Sequence, residues 1–380
     1  MQLRYLSLER FRTYQHTRVA FTATVSVLVG RNAAGKSNLL EALMLLSTTR
    51  SLRARVESQL IARGSDSARI EAGLTLEGRA QELLCFLDAR SGRTKKLWRL
   101  QGAPKTSRAV VGLLTTCLFK PEDVDTLQKS SAARRAVLDQ LLVVRNPEFF
   151  MTLQRLRGTL LQRQRLLEQA RAGQRDGLDA YDEPLVQDGA RVSLARARLV
   201  ATLTEQFAES VRAISGASKT TQAALTLTTP ATNTLPTTLE QWIALYRSQI
   251  AALREREVAA ARNLVGPHRE DLVLTVNTIA LREYGSRGEW RSAVLGLLLA
   301  SCTYLEQLTG ERPLLLLDDV FSELDPARRA ALLPYLTQQQ TLITTADVGE
   351  VPPELLQQAQ LFTIADGTIT PKAKTHAFAA

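Results

Sequence analysis

Cysteine and histidine are scarce here, with three of each in 380 residues, aromatic residues make up only 5%, and no apolar run is long. Each shortage excludes something. Cys85, Cys117 and Cys302 lie far apart with no paired spacing, so neither a disulfide framework nor a zinc cluster is expected. They read as small buried apolar residues in a reducing compartment. His16, His268 and His376 are as scattered, which leaves no metal site built on imidazole. The few aromatics argue against single-strand binding by base stacking as the main mode. No window supplies the roughly 18 to 20 apolar residues that span a bilayer. The opening MQLRYLSLER carries two arginines and a glutamate rather than a leader core, so the expected location is the cytoplasm, with no membrane partner.

Positive charge is plentiful. Lys plus Arg number 48 against 38 Asp plus Glu, a net +10 and a pI near 9.8, which favours a polyanionic partner through release of condensed counterions. With 45% apolar residues the chain can bury a sizeable core and is expected to divide into two domains.

The pattern along the chain changes twice. LRYLSLERF, HTRVAFT and VSVLV alternate or run as strands, and the same style returns over 68–100. From about Pro121 to Arg262 the chain is polar and rich in Arg, Gln, Ala and Leu at helical spacing. Val192, Leu199, Leu203, Phe207, Val211 and Ile214 make one stripe, and Leu239, Trp242, Tyr246, Ile250 and Leu253 make another. RAGQRDGLDAYDEP (171–184) and TLTTPATNTLPTTLE (226–240) read as loops between these helices. Strand-like chain resumes at DLVLTVNTIAL, a helix is expected from Gly288 to about Leu308, then the apolar strand PLLLLDD. QTLITTAD and QLFTIADGTIT read as two more strands.

The stretch Gly30-Arg31-Asn32-Ala33-Ala34-Gly35-Lys36-Ser37, followed by Asn38, fits G-x-x-x-x-G-K-[ST] between a strand and a helix. Its glycines allow the backbone to fold into a cradle of inward N–H groups, and the helix offers its positive end to phosphate. Lys36 would reach the β and γ phosphates, and the Ser37 hydroxyl would hold Mg²⁺. PLLLLDD supplies the acidic strand such a site needs, with Asp318 as metal partner and Asp319 placed to orient or deprotonate water. About 280 residues separate the two motifs, so the helical segment is an excursion from one nucleotide-binding unit. Ahead of the acidic strand, Ser286-Arg287-Gly288-Glu289 opens a helix as S-x-x-E, a capping box. The same helix start could present Ser286 and Gly288 to a phosphate.

In this order the chain resembles the ABC-type ATPases of the SMC class, and within them the RecF family. The stretches that carry the likeness are Leu8–Tyr14, Phe119–Asp139, Gly266–Leu272, Tyr284–Arg291 and Leu314–Asp325. The resemblance implies an α/β fold: an ABC-type head of mixed P-loop sheet with an antiparallel β subdomain, over 1–122 and 263–380, plus an inserted helical arm over 123–262. It implies ATP and Mg²⁺ bound between two head-to-tail copies, with Lys36 and Asp318 from one and Ser286, at the signature position, from the other. Asp325 would be the D-loop aspartate, and Thr345 stands where most ABC proteins carry a switch histidine. The implied activity is that of a weak DNA-dependent ATPase. Such proteins dimerise on duplex DNA at gaps, hydrolyse ATP slowly and, with RecO and RecR, promote RecA loading in recombinational repair and replication restart. Three positions depart from the pattern. Ala33 replaces a glycine, so the turn must avoid strongly positive φ or bear strain; Arg287 replaces the first signature glycine; and Lys120 falls about where ABC heads carry a lid glutamine that binds metal.

Candidate DNA contacts are Arg50, Arg53, Arg55 and Arg63, with Arg69, after the first helix; Arg155, Arg157, Arg163 and Arg165 are a second basic set on the arm, for which a solvated face is the default reading. Three alternatives fit less well. A transporter subunit would not need the long insertion, and a nuclease-linked ATPase would need a further acidic metal cluster after the last strand. A structural SMC-like tether would need much longer coils.

Overall fold

The computed structural model describes residues 1–51, 53–54, 56–174, 176–216 and 221–372. By contacts the chain forms two compact units: Met1–Asp125 with Glu209–Thr220 and Arg291–Ala380, and Thr126–Ala208 with Thr221–Trp290.

The first unit holds two six-stranded sheets. One is antiparallel, in the order Tyr14–Ala20, Gln2–Phe11, Ser67–Leu76, Arg79–Asp88, Lys95–Leu100, Ala103–Lys105. Its alternating pattern buries Leu3, Leu6, Leu8 and Phe11 on one face. The alternation slips between Leu3 and Leu6 because a bulge falls between Leu3 and Tyr5 in the pairing with Ser67–Leu76. The other sheet runs Thr368–Lys372, Gln360–Ala365, Val25–Val29, Thr341–Thr345, Leu314–Asp318, Thr116–Phe119, and all but its first pair are parallel. Its inner strands VSVLV, LLLLD and TLITT are buried almost throughout, as parallel strands covered on both faces must be. The segment expected to give two strands from 340 to 370 gives three. Asp366 and Gly367, both at positive φ, turn QLFTIADGTIT into a hairpin, because Asp-Gly suits the two-residue turn that matches strand twist.

Buried cysteines meet only in three dimensions. Cys117 on Thr116–Phe119 lies beside Cys302 on the helix Arg287–Thr309, and this neighbour with burial pushes the Cys117 thiol well above its usual range.

The second unit carries the helices Ser131–Val143, Pro147–Arg171, Leu239–Ala260 and most of Asp182–Ser215. Both predicted stripes face inward: Val192, Leu199, Leu203, Trp242, Tyr246 and Ile250 are buried. One expectation fails. The stretch 226–240 is not all loop, since Ala223–Thr228 is a strand paired with Asp271–Val276. Its alternation of buried Ala223, Leu225 and Leu227 with Ala224, Thr226 and Thr228 is a half-buried strand pattern, hidden by the Pro and Asn that follow. The basic set on the arm is also corrected. Arg163 is fully buried, on the inner stripe with Leu156 and Leu167, and binds Glu257 at 2.6 Å, Asp182 at 3.0 Å and Asn263 at 2.9 Å. Arg155 pairs with Asp188 at 2.8 Å, and Arg157 and Arg165 remain exposed. By contacts, residues 263–290 group with these helices and 209–220 with the sheets.

Candidate nucleotide-binding site

The strand Val25–Val29 ends at Gly30, whose N–H donates to the Thr345 carbonyl at 3.2 Å. A side chain at Gly30 would meet the Ile364 carbonyl at 2.5 Å, so the turn is closed to any larger residue. Gly35, at φ 111, precedes the helix Lys36–Thr48, whose first turn carries no acidic side chain to offset its positive end. Ala33 sits at φ 66, so the loop takes the strained option that a missing glycine leaves open. The Lys36 ammonium is buried and donates to the carbonyls of Gly30 at 2.5 Å and Arg31 at 3.2 Å. Burial lowers its pKa, against the opposing pull of Asp319 and Asp318.

The acidic strand is brought to this loop by sheet order. Leu314–Asp318 pairs with Thr341–Thr345, which pairs with Val25–Val29, so Asp318 lies in register with Thr344 and Thr344 with Leu28. Carboxylates at the C-terminal ends of parallel strands, beside the crossover loop, form the usual ligand crevice of an open α/β sheet. Asp318 accepts from the Thr344 hydroxyl at 2.5 Å. Asp319 holds φ 48, its N–H donates to the Thr344 carbonyl at 3.0 Å, and its Oδ1 is buried without a partner. A strained residue with an unsatisfied buried carboxylate oxygen is the kind of defect that persists where chemistry needs it.

Ser37, Glu41, Arg53, Lys120 and Asp318 line one narrow cleft with Leu40, Met44 and Leu118. The Ser37 hydroxyl and the Asp318 carboxylate are hard oxygen donors that suit Mg²⁺, an ion that keeps several waters and takes few protein ligands. Among the described residues no cluster of three or more His, Cys, Asp or Glu could hold a metal ion. Lys120 is no ligand; its ammonium pairs with Asp123 at 3.3 Å.

Thr345 is not turned to the acidic pair. Its hydroxyl donates to the Asp347 carbonyl at 2.9 Å and to Glu350 at 3.2 Å, and the hydroxyl that reaches Asp318 belongs to Thr344. Successive strand residues face opposite sides, and the doublet Thr344-Thr345 conceals which one faces the site.

Arg12, Thr13 and Tyr14, at the turn from the first strand into the second, brace the loop and the start of its helix. The Tyr14 hydroxyl donates to the Gly35 carbonyl at 2.8 Å, the Thr13 hydroxyl accepts from Asn38 at 3.1 Å, and Arg12 makes a forked pair with Glu41 at 2.8 Å. The stretch LERFRTY marked a family likeness in the sequence, but nothing local ties it to the phosphate loop.

Ser286 and Glu289 form the predicted capping box: the Ser286 N–H and hydroxyl each donate to Glu289 at 2.8 Å, and the Glu289 N–H donates back at 3.3 Å. These bonds hold the Glu289 carboxyl below its usual range. Ser286 is exposed and Gly288 lies in the first turn of Arg287–Thr309. In the first unit, Asp325 caps Pro326–Leu336 by accepting from the Arg328 N–H at 2.9 Å. Arg50, Arg53 and Arg63 are exposed, Arg69 pairs with Glu71, and Arg55 lies outside the described residues.

A phosphate cradle beside an acidic parallel strand, an antiparallel sheet and a helical insertion define an ATPase head of the ABC and SMC class. The family model described as RecF/RecN/SMC N terminal domain matches residues 2–354. The chain is 36% identical to the DNA replication and repair protein RecF of Synechococcus sp. (strain JA-3-3Ab), over 98% of both chains. To that of Frankia alni it is 38% identical, over 93% of this chain and 96% of the relative. The chain belongs to the RecF family of DNA replication and repair proteins. Among solved structures it is similar to the recombination mediator protein RecF-ATPrS in the RecFOR pathway, with TM-score 0.88 and 27% identity over 98% of each chain. An Smc head bound to the C-winged helix domain of ScpA shares the fold, with TM-score 0.55 and 14% identity over 99% of this chain and 98% of that one. No helix among the described residues is long and apolar enough to cross a membrane.

Proposed function

We propose that this chain binds ATP with Mg²⁺ at the loop 30–38, dimerises on the bound nucleotide and acts at gapped duplex DNA. The observation that carries the reading is the meeting of Lys36, Ser37, Asp318 and the unsatisfied Asp319 at the ends of two parallel strands that flank Thr341–Thr345. A relative whose structure is described as RecF-ATP in the RecFOR pathway supports it, at 27% identity, TM-score 0.87 and coverage of 98% of this chain and 97% of that one. Residues 1–122 and 263–380 serve as the nucleotide head, and 123–262 as the arm.

Lys36 leaves its two loop carbonyls to meet the β and γ phosphates, and the loop N–H groups with the open helix end take the remaining charge. Ser37 and Asp318 hold the Mg²⁺, which neutralises charge on the phosphates when bound. Asp318 is kept in place by the Thr344 hydroxyl. Asp319, with a free carboxylate oxygen, orients the attacking water. Ser286 and Gly288 of a second copy close the site on the γ-phosphate side, and Asp325 links the two sites. The Thr345 hydroxyl lies behind the acidic pair and offers no titratable switch group to the water, which accords with slow turnover. The duplex lies against Arg50, Arg53, Arg55 and Arg63, and the closed dimer works with RecO and RecR to load RecA at gaps.

Sedimentation of the native chain and Lys36→Met tests this, with and without ATP, Mg²⁺ and gapped duplex. The native chain is expected to shift to a dimer only with ATP, and Lys36→Met to stay monomeric. A native chain that remains monomeric in every condition sinks the shared-site reading.

A further inference from the structure

One buried carboxylate joins the nucleotide site to the basic loop that follows its helix. Glu41 stands one turn on from Ser37 in Lys36–Thr48 and is 4% exposed. Its Oε1 accepts from the Ser51 hydroxyl at 2.6 Å and from Arg12 Nη2 at 2.8 Å, and its Oε2 accepts from Arg12 Nε at 2.8 Å. Ser51 Oγ then accepts from the backbone N–H groups of Arg53 at 3.0 Å and Ala54 at 2.8 Å. One hydroxyl thus fastens the turn carrying Arg53 to the helix carrying Ser37. Arg53 reaches back to line the same cleft as Ser37, Lys120 and Asp318. Arg12 completes the bracing: its Nη1 donates to the Gln59 carbonyl at 2.9 Å, and its own N–H to the Leu60 carbonyl at 2.9 Å, both just beyond the loop.

Charge-assisted bonds to a buried carboxylate are strong and directional, so the loop has no slack at Ser51. Coupling between two sites requires an element whose position both ligands bias, and Ser51, with its ties to Glu41 and to the N–H groups of Arg53 and Ala54, meets that requirement by geometry.

We propose that Ser51 and Glu41 are positioning residues that couple duplex binding to nucleotide binding, with the loop as a strap tied to the phosphate-loop helix. A backbone phosphate of the duplex held at Arg50 or Arg53 sets the strap, and the strap sets the Ser37 side of the cleft. This rests on the nucleotide reading of the site. By linkage the effect is reciprocal, so nucleotide tightens duplex binding by the same factor.

The test is the dissociation constant of a fluorescent ATP analogue on the full chain, with Mg²⁺, with and without a saturating blunt duplex. The proteins are the native chain, Ser51→Ala and Ser51→Thr. The duplex is expected to tighten nucleotide binding to the native chain about fivefold or more. Ser51→Ala should bind nucleotide alone within about twofold of native but show a ratio near one, and Ser51→Thr, which keeps the hydroxyl, should restore the ratio. A native-like ratio in Ser51→Ala, or a ratio of one in the native chain that still binds both ligands, overturns the coupling. A native chain that binds no nucleotide overturns the site reading instead, so the two failures are distinct. Should Ser51→Ala lack a native melting curve, Ser51→Cys, nearly isosteric with a much weaker donor, takes its place: a ratio near one supports the coupling and a native-like ratio overturns it.

Discussion

Ala33 shows how a single side chain records a cost. At φ 66 a Cβ crowds the following carbonyl, and the loop tolerates this because both flanking turns are fixed by sheet and helix. Ala33→Gly is expected to raise stability by about 1 kcal/mol, less the added freedom of the unfolded chain. The measurement is the denaturant midpoint at unchanged slope; a lower midpoint would show that the loop is not strained. Asp319 carries the opposite kind of cost, since its unpartnered oxygen has no structural use. Asp319→Asn should preserve nucleotide affinity and slow single-turnover hydrolysis by about 10²- to 10⁴-fold. A native rate in that variant would move the base elsewhere. Neither residue's conformation is written locally: Gly-x-x-Ala can adopt other turns, and the strand that leads into Asp319 is fixed by pairing of Asp318 with Thr344 on one side and of Leu317 with Phe119 on the other.

At the scale of elements, helix starts do the positioning. The capping box of Arg287–Thr309 occupies the Ser286 hydroxyl as donor to Glu289, leaving its oxygen lone pairs toward the helix end. The Glu289 carboxyl is held below its ordinary 4.5 by the Ser286 N–H and then by the hydroxyl. A depressed carboxylate contributes stability that is present above its unfolded value and is lost as pH falls through the folded one. Protection of the Glu289 amide against hydrogen exchange should therefore hold above about pH 4.5 and decline below it, with Glu289→Gln flattening the profile. A pH-independent profile in the native chain would remove the carboxylate from the cap. The element pattern was legible wherever burial is one-sided, as in the stripe through Leu199, Leu203 and Phe207. It misled at Arg163, where a charged residue sits on the apolar stripe with its partners Glu257 and Asp182 supplied by distant segments.

For the whole molecule, the decisive question is whether two copies complete one site. Mixing Lys36→Met with Ser286→Arg tests this directly. In a head-to-tail pair of the two variants, one site has both defects and the other has neither. Each variant alone should be inactive, and an equal mixture should recover roughly a quarter to a half of native ATP turnover, since only mixed dimers hold a sound site, each holds one, and Lys36→Met does not pair with itself. No recovery, with both variants folded, would place Ser286 outside the partner's site. The net charge of +10 acts at this scale too, favouring a polyanionic partner in a salt-dependent way whatever the fate of any one arginine.

What the sequence determined by itself is whatever depends on neighbours along the chain. The phosphate loop, the acidic strand, the capping box and the helical stripes are local patterns, and chain geometry alone gives them meaning. Tertiary structure decided the rest: that Asp318 stands beside Thr344 rather than Thr345, that Arg12, Thr13 and Tyr14 brace the loop, and that Ser51 is tied to Glu41. Cys117 meeting Cys302 belongs with these. Each is a contact between segments that only sheet order and helix packing bring together, and a period of two or of 3.6 says which face a residue takes but not what it will find there.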